Sequence, residues 1–193
     1  RREDGQGLTF DTAPLKEDLE ILGAAVVEVT AMNDDDTGFL VARLCDVAAD
    51  GTSTLITWGV LNLTHRLGHA APEPLVPGAP FTARIVLNDV GRRIAAGSRL
   101  RLSLSNQHWP ILWPPPAMPI LAFESGACRL VLPVRTRRPD EPMIAFGPPE
   151  LAPPVPHVAL APESHRRTVR SDVGSGRQEI VLDGDYGRQR ITD

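Results

Sequence analysis

The residues of this chain that could do chemistry are few and scattered. A serine nucleophile would have to come from Ser103, Ser105 or Ser125, with His108 as its base. The G-x-S-x-G elbow that presents such a serine between a strand and a helix is absent. Gly174-Ser175-Gly176 has the wrong spacing and reads as a hairpin turn. The five histidines, at 65, 69, 108, 157 and 165, read as scattered over loops and strand ends without metal-ligand spacing. Asp34–Asp36 could face a hard cation, but calcium takes about six oxygens or more from a shaped loop, so an exposed turn is expected. Cys45 and Cys128 each sit in an apolar run and read as buried thiols, with nothing to argue for a disulfide. Asn62-Leu63-Thr64 matches a glycosylation acceptor by what reads as chance. No catalytic residue, metal ligand or cofactor site is expected within these 193 residues.

The strongest local signal is instead aromatic. Leu100, Leu102 and Leu104 alternate with Arg99, Arg101, Ser103 and Ser105, the period of a half-buried antiparallel strand. A loop follows at once with Trp109-Pro110 and Trp113-Pro114. Each proline fixes its own φ and drives the preceding tryptophan toward an extended conformation. Two of the three tryptophans are thus held on a stiffened segment at the end of a core strand. Trp58, Asn106, His108, Trp109 and Trp113 are the candidate contact residues, either capping the core or facing another domain or a ligand.

The elements that position this loop follow the same period. Ala24–Ala31, Thr54–Leu63 and Pro80–Leu87 read as strands, and Gly59 marks a bulge or a close backbone approach. Phe39–Val47 is apolar on both faces, as a covered central strand would be, with Arg43 and Asp46 each needing a partner. A single helical turn is expected at Arg92–Ala96, and a hairpin joining Met118–Phe123 to Cys128–Val134 around Ser125-Gly126. Short strands at this spacing predict an all-β sandwich of jelly-roll type over residues 1–137. Seven prolines from Pro139 to Pro156 predict a stiff linker over 138–156. Residues 157–193 return to β character as a hairpin extension. That segment reads as incomplete, because Gly187–Asp193 shows no closing partner strand.

Composition narrows the partners. Hydrophobic content of 42% supports a real core, while 19 prolines and 16 glycines favour strands and turns over long helices. With a net charge of −4 there is no footprint for nucleic acid. The basic clusters Arg135–Arg138 and His165–Arg170 read as solvated strand faces. Neither a membrane-length apolar run nor a signal peptide is visible, so a cytoplasmic location without membrane contact is expected. The start Arg-Arg-Glu-Asp, without Met, reads as a piece of a longer protein.

Several stretches carry a resemblance. TFDTAPLKEDLEILG, TGFLVARLCDVAADG, GVLNLTHR and PGAPFTARIVLNDVGRRIAAGSRLRLSLSNQHWP occur in order. Residues 11–66 and 74–135 thereby resemble the C-terminal jelly-roll domain of the X-Pro dipeptidyl-peptidase and cocaine-esterase type serine hydrolases. Gly38 departs from the aspartate common there, which bears on one local turn. The resemblance implies a galactose-binding-like sandwich serving an α/β-hydrolase domain in cis, packing on it and shaping its cleft. That family's catalytic serine, aspartate and histidine map to no position here. It also implies that one face of Phe39–Val47 packs on the catalytic domain. An apolar patch around Trp58, Trp109 and Trp113 would then be open, and self-association through it is a further expectation. The alternative is a free-standing carbohydrate- or ligand-binding jelly roll that uses exposed tryptophans.

Overall fold

The structure, a computed structural model, describes residues 7–109, 111–136, 140, 142 and 144–192, together with all their side chains except that of Ser125. The expectations attached to Arg1–Asp4, Pro110, Arg137–Pro139 and Asp193 lie outside the described residues. The chain divides into two compact units, residues 1–141 and 142–193.

The first unit is an all-β sandwich. One sheet runs in the order β1 (Leu8–Asp11), β8 (Arg99–Ser105), β4 (Phe39–Val47), β5 (Ser53–Asn62), all antiparallel. A second runs β6 (Pro80–Val86), β3 (Val26–Asn33), β9 (Leu121–Val131). A ribbon of β2 (Leu19–Gly23) and β7 (Val90–Ile94) accompanies them. Alternation explains which side chains meet. Val27, Val29 and Ala31 of β3 and Ala83 and Ile85 of β6 share one buried cluster with Leu40, Ala42, Leu44, Leu100, Leu102 and Leu104 of the four-stranded sheet. Gly59 faces this cluster at a close approach: a Cβ there would stand 2.9 Å from Leu87 Cδ2 and from the Val86 carbonyl. The bulge lies nearby, where the β4–β5 register shifts between Leu44 and Cys45.

Central strand β4 is buried on both sides within this chain. Leu40, Ala42 and Leu44 point into the core cluster, while Val41, Arg43 and Cys45 are buried on the opposite face. On that opposite face the flanking Trp58, Val60 and Ser105 are half-buried. Arg43 reaches Ser103 Oγ at 3.4 Å, and Asp46 pairs with Arg92 at 3.6 Å. Neither cysteine is in a disulfide; Cys45 is buried, and Cys128 is half-buried, where burial pushes its thiol pKa up.

Three local expectations are corrected. Residues 92–96 are not a helical turn: Leu19–Gly23 pairs with Val90–Ile94 along its whole length and buries Ile94, so long-range pairing overrides local helix preference. The expected hairpin around Ser125-Gly126 is one strand, β9. Cys128 pairs with Val29 and Phe123 with Ala31, so residues 124–127 bulge out opposite Thr30. Gly126 takes φ +81° in the bulge, using turn chemistry without reversing the chain. The closing strand thought missing from the tail is β13 (Arg188–Ile191), which pairs with β10 (His157–Ala161).

The second unit is a long two-stranded ribbon. β11 (Ser164–Ser171) pairs with β12 (Gln178–Asp185), so β10–β11 runs against β12–β13. The two pairings are separated where Ala161–Pro162 faces Gly187, at φ +69°. At the tip, the Asp172 carboxylate accepts N–H bonds from Gly174 and Ser175, which hold its pKa below the usual range. None of this unit's described residues is buried. No described helix in either unit is long and apolar enough to cross a membrane.

Candidate functional site

β8 ends at Ser105, and the segment to Ile120 returns to β9 as a braced loop. Asn106 Nδ2 donates to the Pro119 carbonyl at 2.7 Å, closing the base. Asp34 accepts the Ile120 N–H at 2.7 Å, tying the loop to the β3–β4 turn. That turn uses its acidic residues internally. Asp35 accepts from the Thr37 backbone and hydroxyl, which lowers its carboxyl pKa, and buried Asn33 donates to the carbonyls of Asp35 and Thr37. Among the described residues, no three His, Cys, Asp or Glu side chains gather as a metal cluster.

The five candidate residues separate into three roles. Trp58 and His108 come together, ring centroids 5.2 Å apart, with His108 buried and Trp58 half-buried. Register puts Trp58 opposite Arg43, Arg43 opposite Ser103, and Ser103 opposite Thr9, so His108 stacks at the end of a row crossing the sheet. This row caps the outer face of β4. Asn106 is a brace, its amide spent on Pro119. Trp109 and Trp113 form an edge-to-face pair, centroids 5.5 Å apart at 72°, and they are 43% and 79% exposed. Ile111, Met118 and Ile120 are exposed on the same loop. An open groove of about 430 Å³, of mixed polar and apolar lining, lies beside Asn106 among Leu8, Leu104, Ser105, Leu121 and Phe123.

Of the serines that could act with His108, Ser103 and Ser105 are engaged within the fold, and the Ser125 side chain lies outside the described residues. Ser103 is fully buried, and Ser105 Oγ donates to the Gln107 carbonyl at 3.0 Å. One pairing escaped the sequence reading. His65 and His69 are not scattered: they stand four residues apart as His-x-x-x-His, and their Nδ1 atoms lie 3.1 Å from each other.

An antiparallel sandwich with an apolar aromatic loop at one strand end defines an all-β sandwich domain. The chain belongs to the family of X-Pro dipeptidyl-peptidase C-terminal non-catalytic domains, whose model matches residues 1–138. Among solved structures it is similar to an alpha-amino acid ester hydrolase, at 22% identity and TM-score 0.63 over 70% of this chain and 27% of that one. It is also similar to a CocE/NonD family hydrolase from Staphylococcus aureus, at 16% identity and TM-score 0.57, covering 68% of this chain and 31% of the other. An aminopeptidase from a marine sediment archaeon of the Thaumarchaeota matches at 25% identity and TM-score 0.51, over 54% and 18%. No curated protein matches. The chain spans under a third of the length of each of these structures.

Proposed function

We propose that this chain serves a hydrolase domain of the same polypeptide, packing on it and shaping the edge of its cleft without contributing to the chemistry. The observation that carries this reading is the Trp109–Trp113 ridge. The loop is braced at its base and presents apolar side chains outward, although the sandwich has already filled its own core. Rigid aromatic groups on a pre-organised loop dock at small entropic cost. In this reading Trp109 and Trp113 make the contact, Asn106 sets the loop, and Trp58 with His108 supports it from beneath. The docking body is residues 1–137, with 138–156 as linker and 157–193 as a separate segment. The edge-to-face angle of the indoles makes a ridge, which suits a protein groove better than the flat platform of a sugar-binding face.

Two measurements test this. The purified chain alone should show no labelling by a fluorophosphonate probe and no turnover of an Ala-Pro anilide or an aryl ester. Stoichiometric labelling of any serine would overturn the non-catalytic part. In the parent polypeptide, the double substitution Trp109→Ala/Trp113→Ala should lower the melting midpoint and raise KM; a parent unchanged in both would remove the docking part.

A further inference from the structure

The loop that leaves β5 holds two imidazoles side by side, ring centroids 5.2 Å apart and planes tilted by 43°. Leu63–His65 forms one 3-10 turn capped by Asn62, whose Oδ1 accepts from the Thr64 N–H and hydroxyl. The Gly68 N–H donates to the His65 carbonyl, and Gly68 sits at φ +143°, a conformation that favours glycine and turns His69 back toward His65. Arg66 Nη1 donates to the carbonyls of Leu63 and Glu73, and the Glu73 N–H to Thr64, so the loop is cross-tied along its length. The result is a His65 Nδ1 to His69 Nδ1 separation of 3.1 Å, with His69 exposed and His65 half-buried.

We propose that His65 and His69 clamp one divalent transition-metal ion of the zinc or copper(II) class, with water completing its shell. The bite distance carries the argument. Two imidazole nitrogens at about 2.0–2.1 Å from one metal stand roughly 2.9 Å apart at a right angle and 3.3 Å apart at the tetrahedral angle. The observed 3.1 Å falls between these limits. Without metal, one Nδ1–H donates to the other Nδ1. With metal, that proton sits on Nε2 of the same ring, both Nδ1 lone pairs face the ion, and no net proton is released. Borderline metals favour neutral imidazole, whereas magnesium and calcium favour oxygen ligands. No third His, Cys, Asp or Glu joins the pair among the described residues, so the remaining positions are open to solvent.

Tag-free full chain is titrated with Zn²⁺ alone by calorimetry and with Cu²⁺ alone by electron paramagnetic resonance. One ion per chain is expected at micromolar affinity, with two nitrogen ligands in the Cu²⁺ spectrum. His65→Ala and His69→Gln should each weaken binding by at least ~10-fold, since a lost imidazole leaves a single protein ligand. Gln at 69 can still hydrogen-bond, so it separates a mere imidazole pair from a metal clamp; His157→Ala and His165→Ala should bind as wild type. Absence of stoichiometric uptake, a spectrum lacking two nitrogens, or affinity untouched by both loop substitutions overturns the proposal. The spectrum needs no variant, so it decides the matter even if a substitution unfolds the loop.

Discussion

The sandwich and the C-terminal ribbon use the same antiparallel ladder to opposite ends. In the sandwich, β4 has a neighbour on each edge, and side chains on both its faces are buried. In the ribbon, β11 and β12 pair over eight residues each, yet their alternation leads nowhere. One face carries Val169, Ile180 and Leu182; the other sets Arg166 opposite Asp183 and Arg170 opposite Glu179. The hydrogen-bond register is as regular as in the sandwich, so pairing alone does not make a core. A second layer must meet the apolar face, and an isolated two-stranded ribbon is marginal in water. Stability should therefore reside in the sandwich, and substitutions can measure how unequal the two units are.

The largest effect separates two leucines. Leu44 is fully buried in the sandwich, whereas Leu182 is 62% exposed in the ribbon. Leu44→Ala should cost about 2–5 kcal/mol through lost transfer free energy and an unfilled cavity. Leu182→Ala should cost within about 0.5 kcal/mol, as for an ordinary surface site. Urea denaturation of the full chain followed by tryptophan fluorescence reads the sandwich, where every tryptophan lies, and amide exchange within β11–β12 reads the ribbon. Comparable losses from the two substitutions would mean that the ribbon's apolar face is covered in solution.

The same contrast explains what the sequence could and could not reveal. Phe39–Val47 and Arg99–Ser105 were legible to the residue, because uninterrupted alternation or a doubly apolar run leaves a strand no competitor. Val90–Ile94 was hidden because its partner lies about seventy residues away and its own Arg-Arg-Ile-Ala-Ala favours a helix. β13 was hidden because Arg-Gln-Arg-Ile has no apolar period to display. Within the candidate site, Trp109 and Trp113 could be seen as one loop, being four residues apart. The meeting of Trp58 with His108 depends on how β5 and the β8 end are placed, which no local pattern encodes. The His65–His69 spacing was present in the sequence; what it lacked was the turn at Gly68 that makes it a pair.

A second pair of substitutions sharpens the comparison through backbone room. At Gly59, a new methyl would press on Leu87 Cδ2 and the Val86 carbonyl at 2.9 Å, and the carbonyl cannot swing aside. Gly59→Ala should therefore cost about 1–3 kcal/mol by overpacking. At Gly184 in the ribbon the nearest atom is His165 Nδ1 at 3.5 Å, an ordinary contact. Gly184→Ala should be neutral or gain up to about 1 kcal/mol of local stability by restricting the unfolded chain. Thermal midpoints check the first, and amide exchange within β11–β12 checks the second. A destabilised sandwich from the ribbon substitution would break the division between the units.

The smallest contrast is electrostatic. In the sandwich, Asp11 and Arg101 form a two-bond pair across the β1–β8 edge, both contacts 2.7 Å. Hydrogen bonds from Arg101 hold the Asp11 carboxyl below its ordinary value of 3.8. A depressed folded pKa means the pair stabilises the fold above the unfolded value and loses that contribution as pH falls through the folded value. Both side chains are about a third exposed, so screening limits the pair to under about 1 kcal/mol. Asp11→Asn should lower sandwich stability by that amount at neutral pH, and the gap from wild type should close in acid. Asp172, at the ribbon tip, is lowered for a different reason, the backbone N–H groups of Ser175 and Gly174. Asp172→Asn should leave the urea midpoint unchanged while the Gly174 and Ser175 amides exchange faster. A shift in that midpoint would show that the tip is coupled to the sandwich, because a solvent-exposed turn with no buried neighbour has no other route to global stability.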